Sequence, residues 1–388
     1  MSRARGRRLA CRSAGFLVIA TAGMVVPFVR ASGIRDTTPA RFAIYYGYPS
    51  LVNGSNGNEE KAARVFSVYD AVVFGDGLEF PSRQLKPYPT GDPVEHGKTL
   101  KIMAATRSLN ANIRFYGYVC LGEIASENGQ KVSLSASELE ERIRLWKQMG
   151  VAGIFLDEAG YDFAVVTRER QNMAVRIIHD MGLSAFMNAY FLEHLFSSDD
   201  KLPNANGSEK NPRRLPTLLD RRDIFLLESF QVMNGAYEAP AAWQARLKQA
   251  LKYREQFGSR VFTTTTTTSQ SAKSSLEMFN YVWWTNWLYE TDGFSWGEPN
   301  FAASNNVLAN LDCYWQAFAA QAAGPSPLES EGPYLWRKVA DGYLVIVDIQ
   351  NHSVRRVPIP KSGESAPLED LVRASAASPL AVCAGIAK

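Results

Sequence analysis

Short runs rich in β-branched and aromatic residues alternate with stretches of helical period from residue 42 to about residue 323. Eight apolar runs read as strands, at 42–48, 69–75, 113–121, 153–157, 183–188, 223–229, 260–268 and 293–296. The intervening stretches include 135–149, with Leu139, Ile143, Leu145 and Trp146 on one stripe, and 167–181, with Met173, Ala174, Ile177 and Ile178. Ser135 followed by Glu138 reads as a capping box, and Gly150 as a stop. Apolar strands that each feed a helix call for a parallel sheet covered on both faces. Eight such units over this length fit an α/β fold closed as a (β/α)8 TIM barrel, with a doubly wound open sheet as the other arrangement. In a barrel, chemistry sits where the apolar runs turn polar, at the C-terminal ends of the strands.

The alternation stops where Gly324-Pro325-Ser326-Pro327 opens a linker. Beyond it, 334–338 and 343–349 read as an antiparallel pair followed by a strand at 354–359. The expected organisation is therefore a signal peptide at 1–31, a barrel at 38–323, and a linker with a small β-rich C-terminal extension at 324–388. That tail is too small for a strong core of its own and is expected to pack on the barrel.

At the other end, Arg3, Arg5, Arg7, Arg8 and Arg12 precede an uncharged run from Ala14 to Val29, closed by Val29-Arg30-Ala31. This is the pattern of a secretory signal cut near Ala31, with an uncleaved anchor as the alternative. The expectation is a secreted or periplasmic chain, monomeric, with no stable membrane span after cleavage. The chain has 42 Lys+Arg and 39 Asp+Glu, and without the six arginines of residues 1–30 the balance becomes 36 against 39. A mildly acidic remainder without clustered Lys or Arg makes nucleic acid an unexpected partner. Cys120, Cys313 and Cys383 remain after cleavage and show no zinc spacing.

Two apolar runs end in acids. Gly153-Ile154-Phe155-Leu156-Asp157-Glu158 closes the fourth unit, and Ile224-Phe225-Leu226-Leu227-Glu228 the sixth. A carboxylate at the mouth of a buried strand costs desolvation unless function or an ion pair compensates, and Arg168 and Arg170 are candidate partners. Adjacent side chains on a strand face opposite ways, so only one of Asp157 and Glu158 need face a pocket. Two carboxylates across a pocket suit glycosidic cleavage, one donating a proton and one attacking or activating water. Tyr46, Asp76, Tyr118, Glu123, Glu158, Asn188 and Trp296 stand at other strand ends. Such aromatic faces and polar groups suit a sugar polymer, so these seven are the candidate substrate-binding residues beside the catalytic candidates Asp157 and Glu228.

The run Thr263 to Thr268 reads as the seventh strand with a polar mouth. His96, His179, His194 and His352 share no metal-ligand spacing, and GxGxxG, GxxxxGK[ST] and GxSxG are absent. No metal or cofactor is expected.

The segments "GVAGIFLDEAGYD", "IYYGYP", "YDAVVFGDG" and "FLLESF" resemble the glycoside hydrolase family 114 and spherulin-4-like group of TIM-barrel proteins, across roughly residues 40–320. Characterised members include endo-α-1,4-polygalactosaminidases. The resemblance implies a retaining glycosidase on a galactosamine-containing polymer, with Asp157 matching the fourth-strand nucleophile and Glu228 the sixth-strand acid/base. The chain departs from that pattern at Glu158, where the polygalactosaminidases commonly have Asn, and in its "FGDG" turn. Two other functions stay open on the residues alone. A non-catalytic carbohydrate-binding barrel predicts that Asp157 and Glu228 are salt-bridged or diverge, and a metal-assisted lyase or aldolase would use Asp157, Glu158 and Glu228 as oxygen ligands.

Overall fold

The computed structural model describes residues 38–75, 77–82, 91–125, 130–199, 202, 207–267, 275–297, 308, 327–339, 342–359 and 368–374. The expected signal peptide, the Pro325 linker, Asp76, Cys313 and Cys383 lie outside the described residues.

Eight strands form a closed barrel: β1 (Ala40–Tyr45), β2 (Ala71–Phe74), β3 (Arg114–Cys120), β4 (Gly153–Asp157), β5 (Ser184–Asn188), β6 (Ile224–Leu227), β7 (Arg260–Thr264) and β8 (Gly293–Ser295). Every neighbouring pair is parallel, and β8 closes onto β1 through Ala40 opposite Gly293. The fold is a (β/α)8 TIM barrel. The connecting helices are α1 (Glu59–Ser67), α2 (Pro93–Leu109), α3 (Ala136–Gln148), α4 (Arg168–Asp180), a single turn α5 (Glu193–Phe196), α6 (Pro240–Phe257) and α7 (Ser275–Tyr289). The capping box at α3 forms as expected: Ser135 Oγ accepts from the Glu138 N–H at 3.3 Å, and Glu138 Oε2 accepts from the Ser135 N–H at 2.7 Å.

Strand alternation divides the apolar residues into two layers. Phe42, Ile44, Val73, Tyr116, Phe155, Phe186, Ile224, Leu226 and Phe262 fill the barrel interior. The intervening residues, among them Tyr45, Phe74, Phe115, Leu156, Met187 and Phe225, face the helices. Interior glycines let bulky rings lie flat. A Cβ on Gly293 would stand 2.7 Å from the Phe262 ring, and one on Gly153 2.8 Å from the Tyr116 ring. On the outer face, Gly117 gives room to Trp146 of α3, whose indole N–H donates to the Tyr118 carbonyl at 3.1 Å.

The C-terminal extension is a four-stranded antiparallel sheet of β9 (Glu329–Glu331), β10 (Tyr334–Val339), β11 (Tyr343–Asp348) and β12 (Ser353–Pro358), with a last helix α8 (Leu368–Ala374). The sequence pattern marked β10, β11 and β12 but not β9, whose three residues are Glu, Ser and Glu, all exposed. The sheet lies on α7 and joins the barrel's outer core through Leu335, Val345 and Val347. Arg337 and Glu290 form a buried ion pair at 2.5 Å across the junction. No helix among the described residues is long and apolar enough to cross a membrane.

Candidate active site

The parity that sends Phe155 inward also sends Asp157 inward, and the same holds for Asn188 after Phe186 and for Tyr118 after Tyr116. Glu228 continues the inward series of Ile224 and Leu226 one residue beyond β6. All four stand at the C-terminal end of the barrel.

They form one hydrogen-bonded group. The Asn188 amide nitrogen donates to Asp157 Oδ1 at 2.9 Å and to Glu228 Oε2 at 3.0 Å. Asp157 Oδ1 also accepts the Glu158 N–H at 2.9 Å, and Oδ2 accepts the Tyr118 hydroxyl at 3.1 Å. Two oxygens within hydrogen-bond reach of one nitrogen, at 2.9 and 3.0 Å, can be no more than about 6 Å apart. Neither carboxylate has a Lys or Arg in ion-pairing contact among the described residues. Arg168 spends its guanidinium on the carbonyls of Leu195, His194 and Ser197, and Arg170 donates to the Leu121 carbonyl.

Burial pushes both carboxyls above the ordinary range, Glu228 up to about 7. For Glu228 burial is the main cause, opposed by the Asn188 hydrogen bond, while the nearby Asp157 charge raises it further. Asp157 is raised by burial too, and its three donors oppose that shift. Three donors oppose the rise at Asp157, whereas at Glu228 the Asn188 amide and the Arg246 charge oppose it.

The other candidates separate from this group to different degrees. Tyr46 stays close, its ring meeting Tyr118 edge-on at 5.0 Å. Glu158 turns away: at φ +53 its side chain runs past Gly122, where Oε2 accepts the Glu123 N–H at 3.0 Å and the Cys120 thiol at 3.5 Å. It ties down the loop after β3. The Glu123 carboxylate lies 3.6 Å from Lys131. Trp296 follows the outward parity of Phe294 and packs edge-on against Phe279 of α7 at 5.7 Å.

Sequence reasoning missed Arg246, on α6. It donates to the Glu228 carbonyl, pairs with Glu238 at 3.3 Å and lies over the Tyr190 ring at 5.3 Å. A mid-helix arginine carries no local signal of such a role. The threonine run serves the mouth structurally. Thr265 Oγ1 accepts from the Gly297 N–H at 2.9 Å, Thr266 Oγ1 meets Ser229 Oγ at 2.9 Å, and Thr267 Oγ1 donates to the Gly297 carbonyl at 2.7 Å.

The amide between the carboxylates directs N–H groups at the point where a bridging cation would stand, so this donor set does not suit metal ligation. Where the sequence suggested no metal grouping, His179, Asp220 and Asp223 do converge at the opposite end of the barrel. Their atoms are engaged with one another and the chain: His179 Nε2 contacts Asp223 Oδ1 at 2.9 Å, and Asp223 accepts the Ala185 and Asp220 N–H groups.

No family's sequence pattern matches the chain, and no curated protein matches it. Among solved structures, it is similar to the glycoside hydrolase domain of PelA from Pseudomonas aeruginosa at 12% identity, covering 69% of this chain and 96% of that one, TM-score 0.38. It is similar to the GH39 enzyme from Xanthomonas axonopodis pv. citri at 9% identity, covering 79% and 72%, TM-score 0.48. It is also similar to the carboxyl transferase domain of Rhizobium etli pyruvate carboxylase with 3-bromopyruvate at 12% identity, covering 71% and 45%, TM-score 0.38. Barrels of unrelated chemistry score alike, so these likenesses carry no argument about reaction.

Proposed function

We propose that the chain is an exported glycoside hydrolase that cleaves a galactosamine-containing polysaccharide with retention of configuration, without a cofactor. The observation that carries this reading is the single Asn188 amide shared by Asp157 and Glu228. A carboxylate spacing of about 5 to 5.5 Å suits a covalent intermediate, whereas inversion needs about 6.5 to 9.5 Å to admit a water.

In the first step an Asp157 oxygen attacks the anomeric carbon while Glu228 gives its proton to the departing glycosidic oxygen, and the sugar becomes esterified to Asp157. In the second, ionised Glu228 takes a proton from water, the water oxygen attacks the same carbon, and Asp157 leaves as carboxylate. A carboxyl poised near 7 suits both duties near neutrality. Tyr118 and Asn188 hold Asp157 in line for attack.

The test is product release from acetylated and de-N-acetylated galactosaminan and glucosaminan, comparing wild type with Asp157→Asn and Glu228→Gln. Loss of cleavage in both folded variants, with the β- or α-configuration of the bond preserved in the first-formed product by NMR, is the expected result. Cleavage surviving in Asp157→Asn, or an inverted product, overturns the mechanism.

A further inference from the structure

We propose that Tyr190 and Phe191 form the binding position for the sugar on the leaving-group side of the scissile bond, and that this position takes an uncharged ring. The inference rests on the hydrolase reading for its direction, though not for the existence of the binding position.

Tyr190 and Phe191 stand two and three residues after Asn188 in the loop after β5, and they are 48% and 45% exposed. Their rings meet edge-on at 5.0 Å, nearly perpendicular, so two half-exposed apolar rings stand side by side. Exposed aromatic area normally folds back onto a protein to escape water. Here each ring is braced. Arg246 stands over one face of Tyr190 at 5.3 Å, and Phe191 rests on His194 at 5.1 Å. His194 is itself buried, 3.0 Å from Asp162 and stacked on Tyr161 at 4.7 Å. With one face of Tyr190 covered by Arg246, its exposed area is left for the C–H face of a sugar ring.

Arg246 sets the direction. The same guanidinium that backs Tyr190 donates to the Glu228 carbonyl, so the aromatic surface is fixed relative to the residue that protonates the leaving oxygen. The sugar beside the acid is the departing one.

Arg246 also sets the charge. An aromatic face attracts cations through its quadrupole, but this ring already faces one guanidinium, offset in part by Glu238 at 3.3 Å. A second cation on the opposite face would be repelled by the first across the thickness of a ring. An N-acetylated or otherwise neutral sugar escapes that repulsion, and an ammonium-bearing one does not.

The probes are N-acetylated and de-N-acetylated galactosaminan oligosaccharides of matched length, titrated calorimetrically into Glu228→Gln protein at low salt. N-acetylated chains are expected to bind at least about fivefold tighter than their de-N-acetylated counterparts. Adding Tyr190→Ala is expected to weaken N-acetylated binding about tenfold or more, while Tyr190→Phe stays within about twofold. Unchanged binding in Tyr190→Ala, or no binding by either set, overturns the aromatic position, and tighter binding of de-N-acetylated chains overturns the uncharged ring. In the otherwise wild-type enzyme, Tyr190→Ala should lower transfer to added N-acetylgalactosamine relative to hydrolysis about tenfold, since an acceptor occupies the leaving-group position. An unchanged ratio overturns the assignment of side. Binding that depends on Tyr190 without cleavage of any chain sinks the hydrolase reading and leaves the aromatic position standing.

Discussion

At the scale of single residues, the two acids differ in what surrounds them, and that difference makes the chemistry measurable. In the proposed mechanism Glu228 must be protonated to release the leaving group, so kcat/KM should fall as pH rises through about 7. In Asn188→Ala the lost N–H no longer favours the ionised form, so that alkaline limb should move to higher pH, with kcat lower by about 10- to 100-fold. A limb that stays put in the pH profile would sink the role given to Asn188. The raised carboxyl has a second consequence. Between the ordinary carboxyl range and about 7 the folded chain holds a proton that the unfolded chain has lost, so ionising Glu228 lowers stability as pH rises. Glu228→Gln removes that loss, and thermal melts should show a larger gain over wild type at pH 8 than at pH 5. Asp157 and Glu228 were legible because an acid ending an apolar strand needs a reason. Alternation let only one of Asp157 and Glu158 face the pocket, but where Glu158 goes was not legible, since its exit depends on a left-handed φ of +53 at a non-glycine residue and on space beside Gly122.

At the scale of elements, capping and packing argue for separate tests on α3. Ser135→Ala removes the cap and should cost about 1 kcal/mol in chemical denaturation. Gly117→Ala is different in kind, because a methyl there would run into Trp146 and push α3 off β3, at about 1–3 kcal/mol. An unaltered denaturation midpoint in Gly117→Ala would mean that the helix docks some other way. Strands were legible from their apolar runs to within a few residues, and 153–157 matched β4 in full. The seventh was read past the end of β7 at Thr264 by at least the three described residues 265–267, Thr268 lying outside the described residues. Thr265 to Thr267 have strand composition, yet their hydroxyls and N–H groups bind Gly297, Ser229, Asn234, Ser295 and Val232, partners in loops, in the end of β8 and in the hairpin after Glu228 that alternation does not register. The short α5 was equally silent, being one turn with no room for a helical period.

At the scale of the whole molecule, closure of the barrel followed from counting units, while the seating of the C-terminal sheet did not. Its attachment to α7 depends on partners far apart in sequence, such as Arg337 with Glu290. Arg337→Ala removes the guanidinium that pairs with the buried Glu290 carboxylate and should cost about 3–5 kcal/mol, whereas the paired change Arg337→Met with Glu290→Leu should lie much nearer wild type in denaturation midpoint. Equal losses in the two proteins would place the cost in packing rather than charge. The sheet also reaches the site. His352, between β11 and β12, lies flat on Tyr237 at 3.9 Å with 3° between the ring planes, and Tyr237 belongs to the small hairpin of Val232–Met233 and Ala236–Tyr237 that follows Glu228. A ribosome makes this chain from the barrel outward, so the hairpin behind the acid meets its ring partner only once residue 352 has emerged. The mouth beside Glu228 thus gains this ring partner only after both acids and the eighth strand have been made, and a chain cut short after the eighth strand would carry both acids with that support still unmade.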